Sequence, residues 1–137
     1  MTILSLDPLE KAIRQLTNGL AQYAGHAHDD LLRDGVIQRF EYTYELSWKM
    51  LKRFIELTAA DPEAIDRMSF PELIRTGSEL GLLRSGWDKW QDFRKSRGTT
   101  SHIYDEIKAQ QVFSIIPAFL DESVYLLAQL QQRMVKK

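Results

Sequence analysis

Val36-Ile37-Gln38-Arg39-Phe40-Glu41-Tyr42-Thr43-Tyr44-Glu45-Leu46-Ser47-Trp48-Lys49 places apolar and aromatic side chains at three- and four-residue steps, the period of a helix and not of a strand. Continued to the C-terminal side, one face reads Ile37, Phe40, Tyr44, Trp48, Leu51 and Ile55, while Val36, Leu46, Met50, Phe54 and Leu57 widen it. A helix apolar over that much of its circumference has to be covered on more than one side. Either it is the central helix of a bundle, or it also packs across a subunit interface. The segment is expected to run from about Leu31 to Ala59, weakened near Gly35.

The flanking sequence supplies helices to cover it. Upstream, Asp7-Pro8-Leu9-Glu10 offers an N-cap acceptor, a proline at the first helical position and a glutamate three residues after the cap. Leu9, Ala12, Ile13, Leu16, Leu20, Tyr23 and Ala24 then form one apolar stripe, lost near Gly25 where the polar run His26 to Asp30 begins. Downstream, Asp61-Pro62-Glu63 reads as a stop and the start of a loop. Ser69-Phe70-Pro71-Glu72 has capping-box spacing and opens a short helix that Gly81 ends. Ser85-Gly86-Trp87-Asp88 is a further start, and Trp87, Trp90, Arg94 and Arg97 share one face of the helix that follows. On that face, Arg can stack on Trp, or core-facing indoles can sit beside snorkelling arginines.

Asp105-Glu106 supplies acceptors for the last helix. Val112, Phe113, Ile116, Phe119, Leu120, Val124, Leu127 and Leu130 give it an apolar face, with Pro117 inside the pattern and expected to kink it. Arg133 to Lys137 reads as a frayed basic end. No segment alternates with a period of two. The sum is an all-α fold: an antiparallel up-and-down bundle of four to five helices with a kinked C-terminal helix, in a single domain over residues 1–137.

Composition narrows the function classes. The chain has 137 residues, 44% hydrophobic and 27% charged, and no apolar run approaches the roughly 20 residues of a membrane span. Met1 to Ser5 lack the basic start and apolar centre of a secretory signal, so a cytoplasmic location is expected. The absence of cysteine removes disulfides, thiol nucleophiles and thiolate metal sites. A net charge of −1 argues against a general nucleic-acid coat, although Arg84, Lys89, Arg94, Lys95 and Arg97 face only Asp88 and Asp92 between positions 84 and 97.

That local excess of positive charge leads into Arg97-Gly98-Thr99-Thr100-Ser101-His102-Ile103-Tyr104, which gathers a guanidinium, an imidazole, a phenol and three hydroxyls within one connection. Arg97, His102 and Tyr104 can address one phosphate, Arg through its fork of donors and His through a proton transferred near neutral pH. The structural alternatives are a helix-capping Arg97, a turn-capping His102 and a Tyr104 anchored in the core. No phosphate-binding glycine loop and no H-E-x-x-H occurs, and Gly77-Ser78 is followed by no D-x-D pair. His26, His28, Asp29 and Asp30 hold a metal at most weakly, since no second cluster completes the ligand set. Neither a metal site nor a cofactor is expected.

Arg97-x4-His102-x-Tyr104, set between the last two long helices, resembles the R-x4-6-H motif of the HEPN superfamily in its R-x4-H-x-Y form. The stretch Val36 to Lys49 is similar to the second-helix signature of that superfamily's nucleotidyltransferase substrate-binding branch. The resemblance spans about Leu6 to Leu130. It implies a homodimeric helical bundle encoded beside a separate minimal nucleotidyltransferase that carries the carboxylates missing here. In related members it further implies the toxin of a toxin–antitoxin pair, a metal-independent ribonuclease that the partner silences by adenylating tyrosine. Carried over residue by residue, Arg97 and His102 become the ribonuclease pair and Tyr104 the modified side chain. Arg94, Thr99, Thr100 and Ser101 are expected to be supporting binding residues. Gly98 departs from the many relatives that carry a polar residue there. The alternative implied is a non-catalytic subunit that binds a nucleotide or substrate for the partner enzyme.

Overall fold

The computed structural model describes residues 4–135. Met1, Thr2 and Ile3 at one end and Lys136 and Lys137 at the other lie outside the described residues; of the frayed end expected from Arg133 onward, Arg133 to Val135 are instead helical. Within them are six α-helices and no strand: α1 (Asp7–Ala24), α2 (Asp30–Thr58), α3 (Pro62–Asp66), α4 (Phe70–Glu79), α5 (Trp87–Thr99) and α6 (Glu106–Val135), with a single 3-10 turn at Thr100–His102.

Side-chain pairings give the helix directions. Thr43 Oγ1 donates to the Ala12 carbonyl at 3.3 Å and Arg39 Nη1 to the Gln15 carbonyl at 2.6 Å, so α1 and α2 run antiparallel. Tyr44 meets Trp90 and Glu41 meets Arg97, so α2 and α5 are antiparallel, and Trp90 with Glu122 and Phe93 with Phe119 make α5 and α6 antiparallel. By contrast Arg33 pairs with Glu106 and Ser47 with Ser123, so α2 and α6 run parallel. Four helices therefore go up, down, up and down, with α2 and α6 on a diagonal in direct contact. The short helices α3 and α4 are inserted between α2 and α5.

The α2–α6 diagonal is the core. Phe40, Tyr44, Leu51 and Ile55 from α2 meet Ile116, Phe119 and Leu126 from α6, and all are buried. Phe119 stands edge-on to Phe40, Trp90 and Phe93 at 5.2 to 6.0 Å between centroids, a favoured aromatic arrangement. α2 is thus the central helix of the bundle; Leu46, Trp48 and Met50 are only half-buried and Leu57 is exposed.

Several expectations change in detail. α2 is unbroken at Gly35 because buried Arg33, Val36 and Ile37 hold it by packing, which outweighs the propensity of one glycine. Asp7 does not cap α1; it is the first helical residue, and the Leu6 carbonyl accepts the Glu10 amide. Asp61-Pro62-Glu63 starts a helix: the Asp61 side chain caps α3 by accepting from the Ala64 amide. Val124 points outward, and Leu126 fills the core position. The capping box at Ser69 forms in full, with Ser69 Oγ accepting from the Glu72 amide at 3.3 Å and Glu72 Oε1 from the Ser69 amide at 2.9 Å. Those bonds hold the Glu72 carboxyl below its ordinary range. Gly81 ends α4 with φ of 76°, a left-handed conformation that glycine adopts without a Cβ clash.

α6 is continuous through Pro117, which removes the amide that would bond to the Phe113 carbonyl. Although no unbroken apolar run is long, α6 is by length and composition apolar enough to cross a membrane. Its apolar face is taken up by the bundle, where Glu122 and Ser123 are also buried. A core helix carries the same composition as a spanning one.

Candidate functional site

Arg97 lies in the last turn of α5, so the motif begins on a helix and only its second half is a turn. Its guanidinium is held from across the bundle. Nε donates to Glu45 Oε2 at 3.2 Å, and Nη1 lies 3.2 Å from Glu41 Oε2. Glu41 and Glu45 are one turn apart on α2, so one face of that helix presents both carboxylates to one arginine. Thr100 closes the arrangement: its hydroxyl donates to Glu41 Oε2 at 3.0 Å and lies 2.8 Å from the Arg97 carbonyl. Nη2 of Arg97 makes no hydrogen bond among the described residues, and the side chain keeps about a third of its surface in solvent.

His102 and Tyr104 lie on the turn beyond it. Both are exposed, Tyr104 at 86%, and their rings are 6.2 Å apart. The alternative in which Tyr104 anchors α6 in the core therefore does not hold; the half-buried residue of the turn is Ile103. His102 caps through its backbone, its carbonyl accepting the Asp105 amide, while Asp105 Oδ1 caps α6 through the Ile107 and Lys108 amides. Arg97 and His102 are not hydrogen-bonded to each other within one chain. Thr99 donates to the Lys95 carbonyl and Ser101 is exposed.

Beside Arg97 opens a cavity of about 500 Å³ between α2, α3, α4 and α5. Tyr44, Trp48, Phe70 and Leu73 give it an aromatic and apolar interior, and Arg94, Arg97 and Lys52 carry its positive charge. Arg94 stacks on Phe70, 5.0 Å from the ring centroid, and not on either tryptophan of its own helix, because Trp90 is turned fully into the core. Burial pushes the Tyr44 phenol well above its ordinary range, so it stays protonated.

Sequence reasoning missed Glu41 and Glu45. Their i, i+4 spacing between core positions was a signal, but nothing in the sequence said which cation they would meet. It also missed Glu122, which is 2% exposed and accepts from the Arg84 and Ser85 amides and from Trp90 Nε1. Around the His26–Asp30 loop, Asp29 is occupied as the α2 cap and Asp30 lies 3.5 Å from Arg33. No group of three or more His, Asp or Glu suited to a metal occurs among the described residues.

This fold, with its Arg-x4-His-x-Tyr turn, has relatives. The family described as nucleotidyltransferase substrate binding protein like matches residues 4–132. The chain belongs to this family. A Haemophilus influenzae protein named probable ribonuclease HepT is 42% identical over 104 residues, 76% of this chain and 70% of that protein. A solved Haemophilus influenzae structure, described as revealing the fold of a substrate binding domain of a nucleotidyltransferase, superposes with a TM-score of 0.85 at 35% identity, covering 93% of this chain and 99% of that one. A structure from Thermus thermophilus superposes with a TM-score of 0.65 at 28% identity over the same shares of the two chains.

Proposed function

We propose that this chain is the partner subunit of a separate nucleotidyltransferase and acts as a metal-independent ribonuclease of the toxin type, assembled as a homodimer in the cytoplasm from single-domain chains. Arg97 and His102 are its catalytic residues and Tyr104 is the site where the partner attaches adenylate. The observation that carries this reading is the state of Arg97: two carboxylates and a hydroxyl fix its Nε and Nη1, Nη2 is left for a phosphate, and His102 is exposed on the turn that follows. The name of the 42% identical relative, a probable ribonuclease, supports it.

RNA cleavage needs a base at the 2'-hydroxyl, an acid at the leaving oxygen and positive charge at the phosphorane. A single His102 supplies one proton-transfer group. Two copies related by a two-fold axis supply both, together with two Arg97. Adenylate on the exposed Tyr104 brings a negative phosphate and a base into the same cleft and competes with RNA for Arg97. Arg94, Thr99 and Ser101 serve as supporting contacts for the bound strand, and Thr100, buried with its hydroxyl on Glu41, supports binding by holding Arg97 in place.

The test is RNA degradation by the purified chain in EDTA, alone and with Arg97→Ala or His102→Ala. Loss of cleavage in both variants, with the helical content kept, is the expected result. Full cleavage by either variant rejects the assignment. A chain that cleaves nothing but forms a stable complex with a nucleotidyltransferase supports the alternative, a non-catalytic subunit that binds substrate, which the family description itself favours.

A further inference from the structure

The cavity next to Arg97 has no part in the chemistry assigned to Arg97, His102 and Tyr104, yet its lining is not that of an idle surface dent. We infer that it is a nucleobase subsite, which receives an unstacked base of the single-stranded RNA held at Arg97. This rests on the ribonuclease reading of the same site.

Three observations carry it. First, the volume of about 500 Å³ falls within the range of small-ligand pockets and the cavity is continuous with Arg97, which forms part of its wall. A phosphate on Nη2 of Arg97 therefore has its own nucleoside at the cavity mouth. Second, Trp48 and Phe70 meet edge to face at 5.8 Å and 90°, and both are only half-buried, so ring surface is left for a guest. Arg94 lies over Phe70 and presents a guanidinium plane to the cavity. Unpaired bases are recognised in RNA by stacking on aromatic rings and on guanidinium planes. Third, the wall holds a cation that no carboxylate engages. Arg97 is paired with Glu41 and Glu45 and Lys52 with Asp66, whereas Arg94 makes no ion pair among the described residues and is left for a phosphate-bearing guest.

The experiment is steady-state cleavage of a short single-stranded RNA in EDTA by the full chain and by Trp48→Leu and Arg94→Gln. Arg94 is exposed, so its replacement leaves the core intact even if Trp48→Leu perturbs packing. Trp48→Leu is expected to raise KM about tenfold, with kcat within about twofold, the scale of one lost base stack. Arg94→Gln raises KM in the same direction, and an abasic nucleotide at one position of the RNA makes the wild type resemble Trp48→Leu. If the wild type cleaves and both variants keep its KM, the subsite is overturned while the ribonuclease reading stands. If the wild type neither cleaves nor binds RNA, that reading fails and the subsite with it. If Trp48→Leu instead converts a dimer to monomers in sedimentation, the cavity is a contact between copies and not a base site.

Discussion

Arg97 Nε stands 3.2 Å from Glu45 Oε2, so the guanidinium near the end of α5 is tied to the central helix of the core and not only to its own turn. Its orientation is thereby inherited from the packing of α2. The pair is about a third exposed on both sides, and solvent screens much of its Coulomb energy.

Arg97→Ala is accordingly expected to change unfolding free energy by about 1 kcal/mol or less, while abolishing RNA cleavage. Glu45→Gln keeps one acceptor for Nε and should lower kcat with little change in stability. Urea denaturation beside the cleavage assay separates the two effects. A large stability loss in Arg97→Ala shows the residue to be structural.

Glu122 makes the opposite case. Its carboxylate is buried and accepts from two backbone amides and an indole N–H, so Glu122→Ala leaves three donors without a partner. The expected cost is about 3 kcal/mol or more. Glu122→Gln retains an acceptor oxygen and should lose less. The urea midpoint of each variant is the measurement.

Gly77 lets α4 close on α2. A Cβ built there lies 3.0 Å from Leu51 Cδ1 and 3.2 Å from Leu83 Cδ1, both deep in the core. Gly77→Ala is expected to destabilise by about 1–3 kcal/mol through overpacking, despite the better helix propensity of alanine. Gly35→Ala, with open space around it, should be neutral to stabilising. Thermal unfolding of the two variants side by side tests the contrast.

The Arg33–Glu106 bond at 2.7 Å gives a pH signature. The hydrogen bond from Arg33 holds the Glu106 carboxyl below its ordinary range, and the neighbouring Asp105 opposes this. A lowered carboxyl contributes stability above its unfolded pKa, roughly 4.3, and loses it as pH falls through the lower folded value. Glu106→Gln should therefore be less stable than wild type at pH 7, and the difference should shrink as pH falls through the lowered folded value. Asp30 and Asp34 also face Arg33, so the comparison has to be made variant against wild type at each pH.

Tyr104 has so much of its ring in solvent that Tyr104→Phe should leave stability within about 0.5 kcal/mol. Incubation of wild type with a partner nucleotidyltransferase and ATP should add one adenylate mass per chain, and none to Tyr104→Phe. An unchanged intact mass of the wild type removes this assignment.

The fold was legible wherever a residue's own chemistry decides its place. The stripe from Ile37 to Ile55 had to be covered, and Ser69 with Glu72 can form a capping box without help from elsewhere. The site was legible as a set of residues but not as an arrangement. Arg97 shows why: its partners Glu41 and Glu45 are more than fifty positions away, and only the antiparallel passage of α5 across α2 brings them together. Glu122 was unreadable for a related reason. A lone glutamate in a helix reads as solvent-facing, and only the chain reversal before α5 supplies the donors that make its burial tolerable.

That reversal also decides where the chain can be opened. The connection between α4 and α5 is sewn to α6 through the Arg84 and Ser85 amides, so inserted residues there would tear backbone groups from a buried acceptor. The connection between α1 and α2 is held in another way: the Ala27 carbonyl accepts from Tyr23 Oη at 2.6 Å, and His28 shares a cavity with Arg33 and Glu106. A fluorescent label spliced beside His28 therefore stands near Glu106, two residues beyond Tyr104, and gives experimenters a reporter on that turn.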